Sequence, residues 1–83
     1  MQVQIKYFAS IREAMGCDSE RWETSAATLG ELRQALTQRD ARDDHPLAAG
    51  RAVRIALDHL MCEEDVLLTP GCEVAFFPPV TGG

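Results

Sequence analysis

One apolar stripe at helical spacing most constrains the fold of this 83-residue chain. Leu29, Leu32 and Leu36 recur at i, i+3 and i+7, which places them on one side of a helix. Thr28 and Glu31 form a capping-box pattern, so a helix of about three turns is predicted to begin there. A helix with one apolar stripe has to bury it against another element, which the rest of the chain must supply.

Five other segments have the composition or the alternation of strands with one buried face. Strands are predicted at residues 2–8, 19–24, 53–57, 66–68 and 74–77. The last strand ends at a pair of prolines, which cannot extend a sheet ladder. A sheet built from these strands supplies the surface for the helix stripe.

Local signals add a short helix and a tight turn. Ser10 and Glu13 repeat the capping-box pattern and predict a short helix with Ser10 as its N-cap. Gly16 is predicted to end this helix, because glycine readily takes the left-handed conformation after a helix. Pro70 and Gly71 suit the two central positions of a type II turn.

The order of elements is therefore strand, short helix, strand, main helix, then two or three strands. It predicts an α+β domain in which one main helix packs across a mixed sheet. A β-grasp fold satisfies this order, with its first and last strands adjacent and parallel in the middle of the sheet. A ferredoxin-like fold is the main alternative, but it needs a longer amphipathic helix than residues 10–16 provide.

Composition argues against several classes of function. The formal net charge is -5, and a nucleic-acid partner is not expected because phosphate binding needs clustered Lys and Arg. No signal peptide and no apolar run of membrane-spanning length is seen. The three cysteines form no CxxC pair, so reduced thiols in a cytoplasmic protein are expected, without a disulfide framework or zinc site: Cys17, Cys62 and Cys72.

The histidines and the aspartate-rich connection at residues 40–50 suggest no catalytic or metal site. His45 and His59 lie in no ligand-spaced cluster, so both are expected to be solvated surface residues. Three aspartates lack the glycine and glutamate of a calcium loop and are interpreted as a solvated turn: Asp40, Asp43 and Asp44.

The C-terminal segment carries the most specific signal. Phe76 and Phe77 are neighbours on a strand and must face opposite sides, so one is expected in the core and the other at the surface or under a partner. Pro78 and Pro79 fix φ and favour an extended path away from the domain.

Gly82 and Gly83 end the sequence. Without a Cβ, they can enter a narrow tunnel, and their backbone can approach a substrate closely. The chain is therefore divided into a β-grasp domain, residues 1–78, and a tail, residues 79–83. Fully extended, the tail reaches about 16–18 Å, enough to carry a terminal carboxylate into another protein's active site.

The segment PGCEVAFFPPVTGG, residues 70–83, resembles the end of the small subunits of molybdopterin synthase, the ubiquitin-like sulfur carriers of the MoaD family. Residues 3–13 resemble their first strand and helix, and residues 28–33 resemble their main helix entry. Family members often have Asp at the position of Cys72 and Asn near Asp58, so the resemblance is looser in those turns.

The resemblance implies that an E1-like adenylyltransferase uses ATP to adenylate Gly83, and that a sulfur donor, such as a cysteine desulfurase or a rhodanese-like protein, converts it to a thiocarboxylate. The tail would then enter the large synthase subunit and give its sulfur to cyclic pyranopterin monophosphate, building the molybdopterin dithiolene. A heterotetramer with two large subunits and no permanently bound cofactor is implied. Gly82 would provide clearance, and six residues would bind partners and guide the tail: Phe76, Phe77, Pro78, Pro79, Val80 and Thr81.

Three other functions fit a β-grasp domain. The first alternative is a sulfur carrier for thiamine or another thiolated product. The second is a ubiquitin-like modifier of lysines, and the third is a plain binding module without tail chemistry. The partner distinguishes them, since a large synthase subunit, a thiazole synthase and many lysine conjugates are different outcomes of a pull-down.

Overall fold

A computed structural model describes residues 1–79. Along the chain the elements are β1 (Gln2–Tyr7), α1 (Ala9–Met15), β2 (Ser19–Glu23), α2 (Leu29–Asp40), β3 (Arg54–Leu57), β4 (Leu60–Cys62) and β5 (Glu73–Phe77). The strands form one sheet in the order β2-β1-β5-β3-β4. β1 and β5 are parallel, and the other three pairs are antiparallel. The predicted β-grasp fold, with its first and last strands together in the middle, is confirmed.

The core forms between α2 and one face of the sheet. Leu29, Leu32 and Leu36 are fully buried, as the stripe predicted. Opposite them, the sheet contributes alternate residues of β1 and β5, which are all buried: Val3, Ile5, Tyr7, Val74 and Phe76. Since fully burying a large apolar side chain is worth about 1.5–3 kcal/mol, this layer provides most of the driving force for folding.

The start of α2 is anchored by its own cap and by a distant loop. The Thr28 hydroxyl oxygen accepts a hydrogen bond from the Glu31 amide at 3.2 Å, as the capping box predicted. The Gly30 amide donates to the Glu64 carbonyl at 2.8 Å. A Cβ on Gly30 would lie 3.2 Å from that carbonyl oxygen, so the close approach of the loop explains a glycine in the first helical turn.

The strand predicted at residues 66–68 is wrong. Apart from one isolated bridge between Leu67 and Thr28, these residues form a loop against the start of α2, where the Leu68 amide donates to the Ala27 carbonyl. The fourth strand is β4, joined to β3 by a hairpin of only two residues. Asp58 (φ 49°) and His59 (φ 73°) are both left-handed, as a type I′ turn requires.

The turn before β5 follows the prediction. The Cys72 amide donates to the Thr69 carbonyl at 3.1 Å across Pro70 and Gly71. Gly71 has φ +80°, the conformation that a type II turn requires at its third position.

The predicted N-cap of α1 is wrong, whereas its predicted end is confirmed. Phe8 takes the N-cap position, no side chain caps the helix, and Ser10 lies within the first turn. The reason is tertiary, because the Phe8 amide still pairs with the Phe76 carbonyl of β5 and the chain turns only at Ala9, φ +51°. Gly16 ends the helix with φ +81°.

Candidate functional site at the open sheet face and tail root

The sheet has a second face, directed away from α2. Here we call it the open face and define it by the residues that alternate with the core positions: Gln4, Lys6, Arg54, Ala56, Met61, Glu73, Ala75 and Phe77. Its middle is apolar, with Ala56 paired to both Ala75 and Met61, although the two alanines are themselves buried. Met61 is 52% exposed. The accessible apolar area of this face therefore comes from Met61 and from the half-buried Phe77, with polar residues around them.

Of the two adjacent phenylalanines, only Phe77 is available to a partner. Phe76 is fully buried and stacks on Tyr7 with ring centroids 6.1 Å apart. Phe77 is half-buried and meets Phe8 edge-on at 5.7 Å. The expectation of one core and one surface phenylalanine is confirmed, and the inclusion of the Phe76 side chain among the partner-binding residues is corrected because it belongs to the core.

The tail starts beside this aromatic pair. β5 ends at Phe77, Pro78 is half-buried and Pro79 is exposed. Pro79 lines a groove with residues of β3 and β4, among them Arg54, Met61 and Cys62. Four predicted site residues lie outside the residues that the structure describes, so their roles stay predictions: Val80, Thr81, Gly82 and Gly83.

Charged side chains meet at the other end of the open face. The Glu73 carboxylate lies 3.5 Å from the Lys6 ammonium and 3.5 Å from the His59 ring. The hairpin turn is fixed to the same residue, since the Asp58 carboxylate accepts a hydrogen bond from the Glu73 amide at 2.9 Å. The sequence analysis missed this group and the exposed Met61, although the strand alternation places Lys6 opposite the core residues.

His45 corrects a prediction, because it is buried rather than solvated. Only 1% of it is exposed. The Leu47 amide donates to Nδ1 at 3.0 Å, so Nε2 carries the proton and donates to Asp40 at 2.8 Å. Hydrogen bonds, first from Arg39 and then from His45, lower the pKa of Asp40 although burial opposes this. The His45–Asp40 hydrogen bond ties the segment after α2 to the end of that helix. His59, in contrast, is exposed as predicted.

Asp40 is therefore not part of a solvated turn, in contrast to Asp43 and Asp44, which are exposed as predicted. Among the cysteines, Cys72 is buried, Cys62 half-buried and Cys17 exposed. Burial raises the pKa of the Cys62 thiol, which keeps it protonated and a poor nucleophile.

Within residues 1–79, no group of three or more His, Cys, Asp or Glu side chains is placed to hold a metal ion. No helix in that range is long and apolar enough to cross a membrane.

The model of the ThiS family matches residues 5–83. The chain belongs to the ThiS family. A molybdopterin synthase sulfur carrier subunit from Escherichia coli is 36% identical to this ThiS-family chain, covering 98% of this chain and 99% of that protein. The resemblance to small subunits of molybdopterin synthase is thereby confirmed.

Solved structures agree with the ThiS-family assignment. SAMP1 from Haloferax volcanii has a TM-score of 0.77 at 25% identity and covers both chains completely. A complex of subunits 1 and 2 of the molybdopterin-converting factor from Helicobacter pylori contains a chain with a TM-score of 0.67 at 26% identity, again with complete coverage. In that relative, a domain of this fold is found together with a second subunit.

Proposed function

We propose that this ThiS-family chain is the sulfur carrier subunit of a molybdopterin synthase and that the Gly83 carboxylate carries the sulfur. The observation that carries the proposal is the 36% identity to a sulfur carrier subunit over nearly the whole of both chains. The β-grasp domain presents the open face and, beside it, the start of the tail.

A carboxylate is a poor acyl electrophile, because its charge is delocalised and its leaving group is oxide. In the proposed reaction an E1-like adenylyltransferase couples the Gly83 carboxylate to AMP, with release of pyrophosphate from ATP. A sulfur donor then displaces AMP and leaves a thiocarboxylate. The sulfur passes to cyclic pyranopterin monophosphate, and two rounds build the dithiolene.

This chain's contribution is binding and reach. The open face docks the large subunit through Phe77 and Met61, together with Phe8, which packs against Phe77; all three are apolar and exposed or half-buried. From Phe77 the six residues 78–83 span up to about 20 Å when extended, which suffices to enter a buried site on a partner. The assembly proposed is a heterotetramer with two large subunits.

The test is molybdopterin formation from its precursor in a reconstituted assay with ATP, the E1-like enzyme, a sulfur donor and the large subunit. Deletion of Gly83 shortens the tail by about 3.5 Å, and catalysis is sensitive to displacements of about 1 Å. Addition of one residue after Gly83 places the reactive carbonyl in a peptide bond. Both variants are expected to form no product.

The control is binding of the large subunit, which both tail variants should retain because the domain is unchanged. A yield equal to that of the unmodified chain from either variant would show that the Gly83 carboxylate does not carry the sulfur. A thiocarboxylated chain isolated from cells should have an intact mass in which one oxygen is replaced by sulfur.

Protein modification is the second candidate function. It is favoured by the likeness to SAMP1 from Haloferax volcanii, whose full name is small archaeal modifier protein 1. It uses the same adenylate but ends in amides on lysines. Recovery of a broad set of lysine conjugates from cells, with no large synthase subunit, would favour it over sulfur transfer.

A further inference from the structure

Arginine carries almost all of the positive side-chain charge of this protein, so side-chain amines are rare. Lys6 is its single lysine, and every other basic side chain apart from the two histidines is an arginine. The distinction matters for a protein with an activated carboxyl end, because a lysine amine attacks an acyl adenylate, whereas a guanidinium stays protonated in proteins and does not.

The single lysine lies on the open face, close to the end of β5, from which the tail starts. Lys6 pairs with Ala75 in the parallel register, two residues before Phe77 on the same face. With a rise of about 3.3 Å per residue and strands about 4.8 Å apart, its Cα lies about 8 Å from that of Phe77. The six residues after Phe77 span up to about 20 Å, so the length of the chain allows Gly83 to reach the Lys6 amine.

The structure draws this amine away from the tail. The Lys6 ammonium lies 3.5 Å from the Glu73 carboxylate, at the beginning of β5, whereas the tail leaves from the end of β5. The ion pair therefore holds the Lys6 side chain toward the start of β5, away from the residues that follow Phe77. The amine of Met1 lies at the far end of parallel β1 and donates to the Thr24 carbonyl at 2.8 Å.

We propose that Lys6 is the internal acyl-acceptor site of this carrier and that its ion pair with Glu73 on the open face suppresses capture of the activated tail. This rests on the proposed adenylation of Gly83. In the captured state the Lys6 nitrogen lone pair attacks the glycyl carbonyl carbon and an amide bond forms. The carbon–oxygen bond to AMP breaks, AMP leaves, and the proton from nitrogen goes to solvent.

The experiment incubates the full chain with ATP and the E1-like enzyme without a sulfur donor, and follows intact mass and peptide maps. The captured product is one water lighter than the free chain and contains a peptide that joins Lys6 to Gly83. Glu73→Gln is expected to form it about two- to fivefold faster than the unmodified chain, since an exposed ion pair of this kind contributes modestly. Lys6→Arg should abolish it in either background.

Three further variants separate the effect of position from that of charge. His59→Gln removes the other contact of Glu73, keeps the Lys6 ion pair and should leave the rate unchanged. Arg54→Lys adds an amine opposite Phe77, at a residue for which no ion pair is found within residues 1–79, and should create a second product joined at position 54. Gln38→Lys, on the exposed side of α2, should not.

Pyrophosphate release in the same reactions reports adenylation separately. If Glu73→Gln releases pyrophosphate but forms no product joined at Lys6, the inference is overturned and the proposed function stands. The same holds if the joined product forms at equal rates with and without Glu73. No release from the unmodified chain overturns the proposed function together with the inference.

Discussion

The two faces of the sheet are built from the same strands and differ in almost everything else. Val74 and Phe76 of β5 are fully buried against α2, while Glu73 and Phe77, the alternate residues, are only half-buried on the open face. One face is buried against α2, whereas the other exposes Met61 and part of Phe77 and carries the Glu73 charge, although its central Ala56 and Ala75 are also buried. In the proposed function, stability and recognition are therefore separated by a single residue step along one strand.

The sharpest test of this separation is Phe76→Ala. Deleting a fully buried phenylalanine leaves a cavity and should lower the free energy of unfolding by about 3–5 kcal/mol. Urea denaturation monitored by circular dichroism measures the change. A loss below about 1 kcal/mol would contradict the placement of Phe76 in the core.

Phe77→Ala, one residue later, should have the opposite profile. A buried aromatic anchor at an interface is worth about 2 kcal/mol or more, so affinity for the large subunit should fall roughly 30-fold while the unfolding midpoint changes little. Isothermal titration calorimetry gives the affinity. Met61→Ala, on the same face, provides a second variant, and unchanged binding in both would place the interface elsewhere.

Ala41→Gly should stabilise the end of α2, the helix that covers the core face of the sheet, without affecting the open face. Ala41 ends α2 in the left-handed conformation, φ +41°, which costs a residue with a Cβ about 1 kcal/mol relative to glycine. The expected gain in unfolding free energy is up to about 1 kcal/mol, and large-subunit affinity should be unchanged. A loss of stability would show that glycine's greater freedom in the unfolded chain outweighs the relieved strain.

A pH dependence should also arise on the α2 side. Burial opposes ionisation of Glu20, but hydrogen bonds from Arg39 and Tyr7 lower its pKa below the usual value of 4.5. The group therefore stabilises the fold at pH values above 4.5, and this contribution is lost as pH falls through the lowered pKa. The effect should stay below about 1 kcal/mol, since exposed pairs are screened.

Glu20→Gln should flatten this part of the stability curve below pH 4.5, measured by thermal unfolding. The comparison variant is Glu23→Gln on the same strand, at an exposed residue. An equal flattening in both variants would assign the dependence to net charge instead of to the pairing with Arg39.

Where the sequence analysis succeeded, the signal was local. The three leucines of α2, the end of α1 at Gly16 and the turn at Pro70 and Gly71 follow from side-chain spacing or from allowed φ values, which are set within a few residues. The β-grasp order followed from the same signals. The family assignment rested on the tail and agrees with the match to residues 5–83.

Where it failed, a distant part of the chain decided. Residues 66–68 carry a strand-like composition but bond to the start of α2, and Ser10 lost the cap because β5 extends its pairing with β1 to Phe8. His45 resembled a surface residue until the Leu47 amide and the Asp40 carboxylate supplied its two hydrogen bonds. Each of these outcomes depends on a contact that the local pattern does not encode.

The sequence by itself thus determined the elements with a strong hydrophobic period and the β-grasp order. It also determined that Phe76 and Phe77 point in opposite directions, because side chains alternate along any strand. Only the tertiary structure decided which of the two rings enters the core, because that depends on the side of the sheet on which α2 packs. It also decided that Lys6 faces Glu73 across two parallel strands, since register is set by pairing between distant segments.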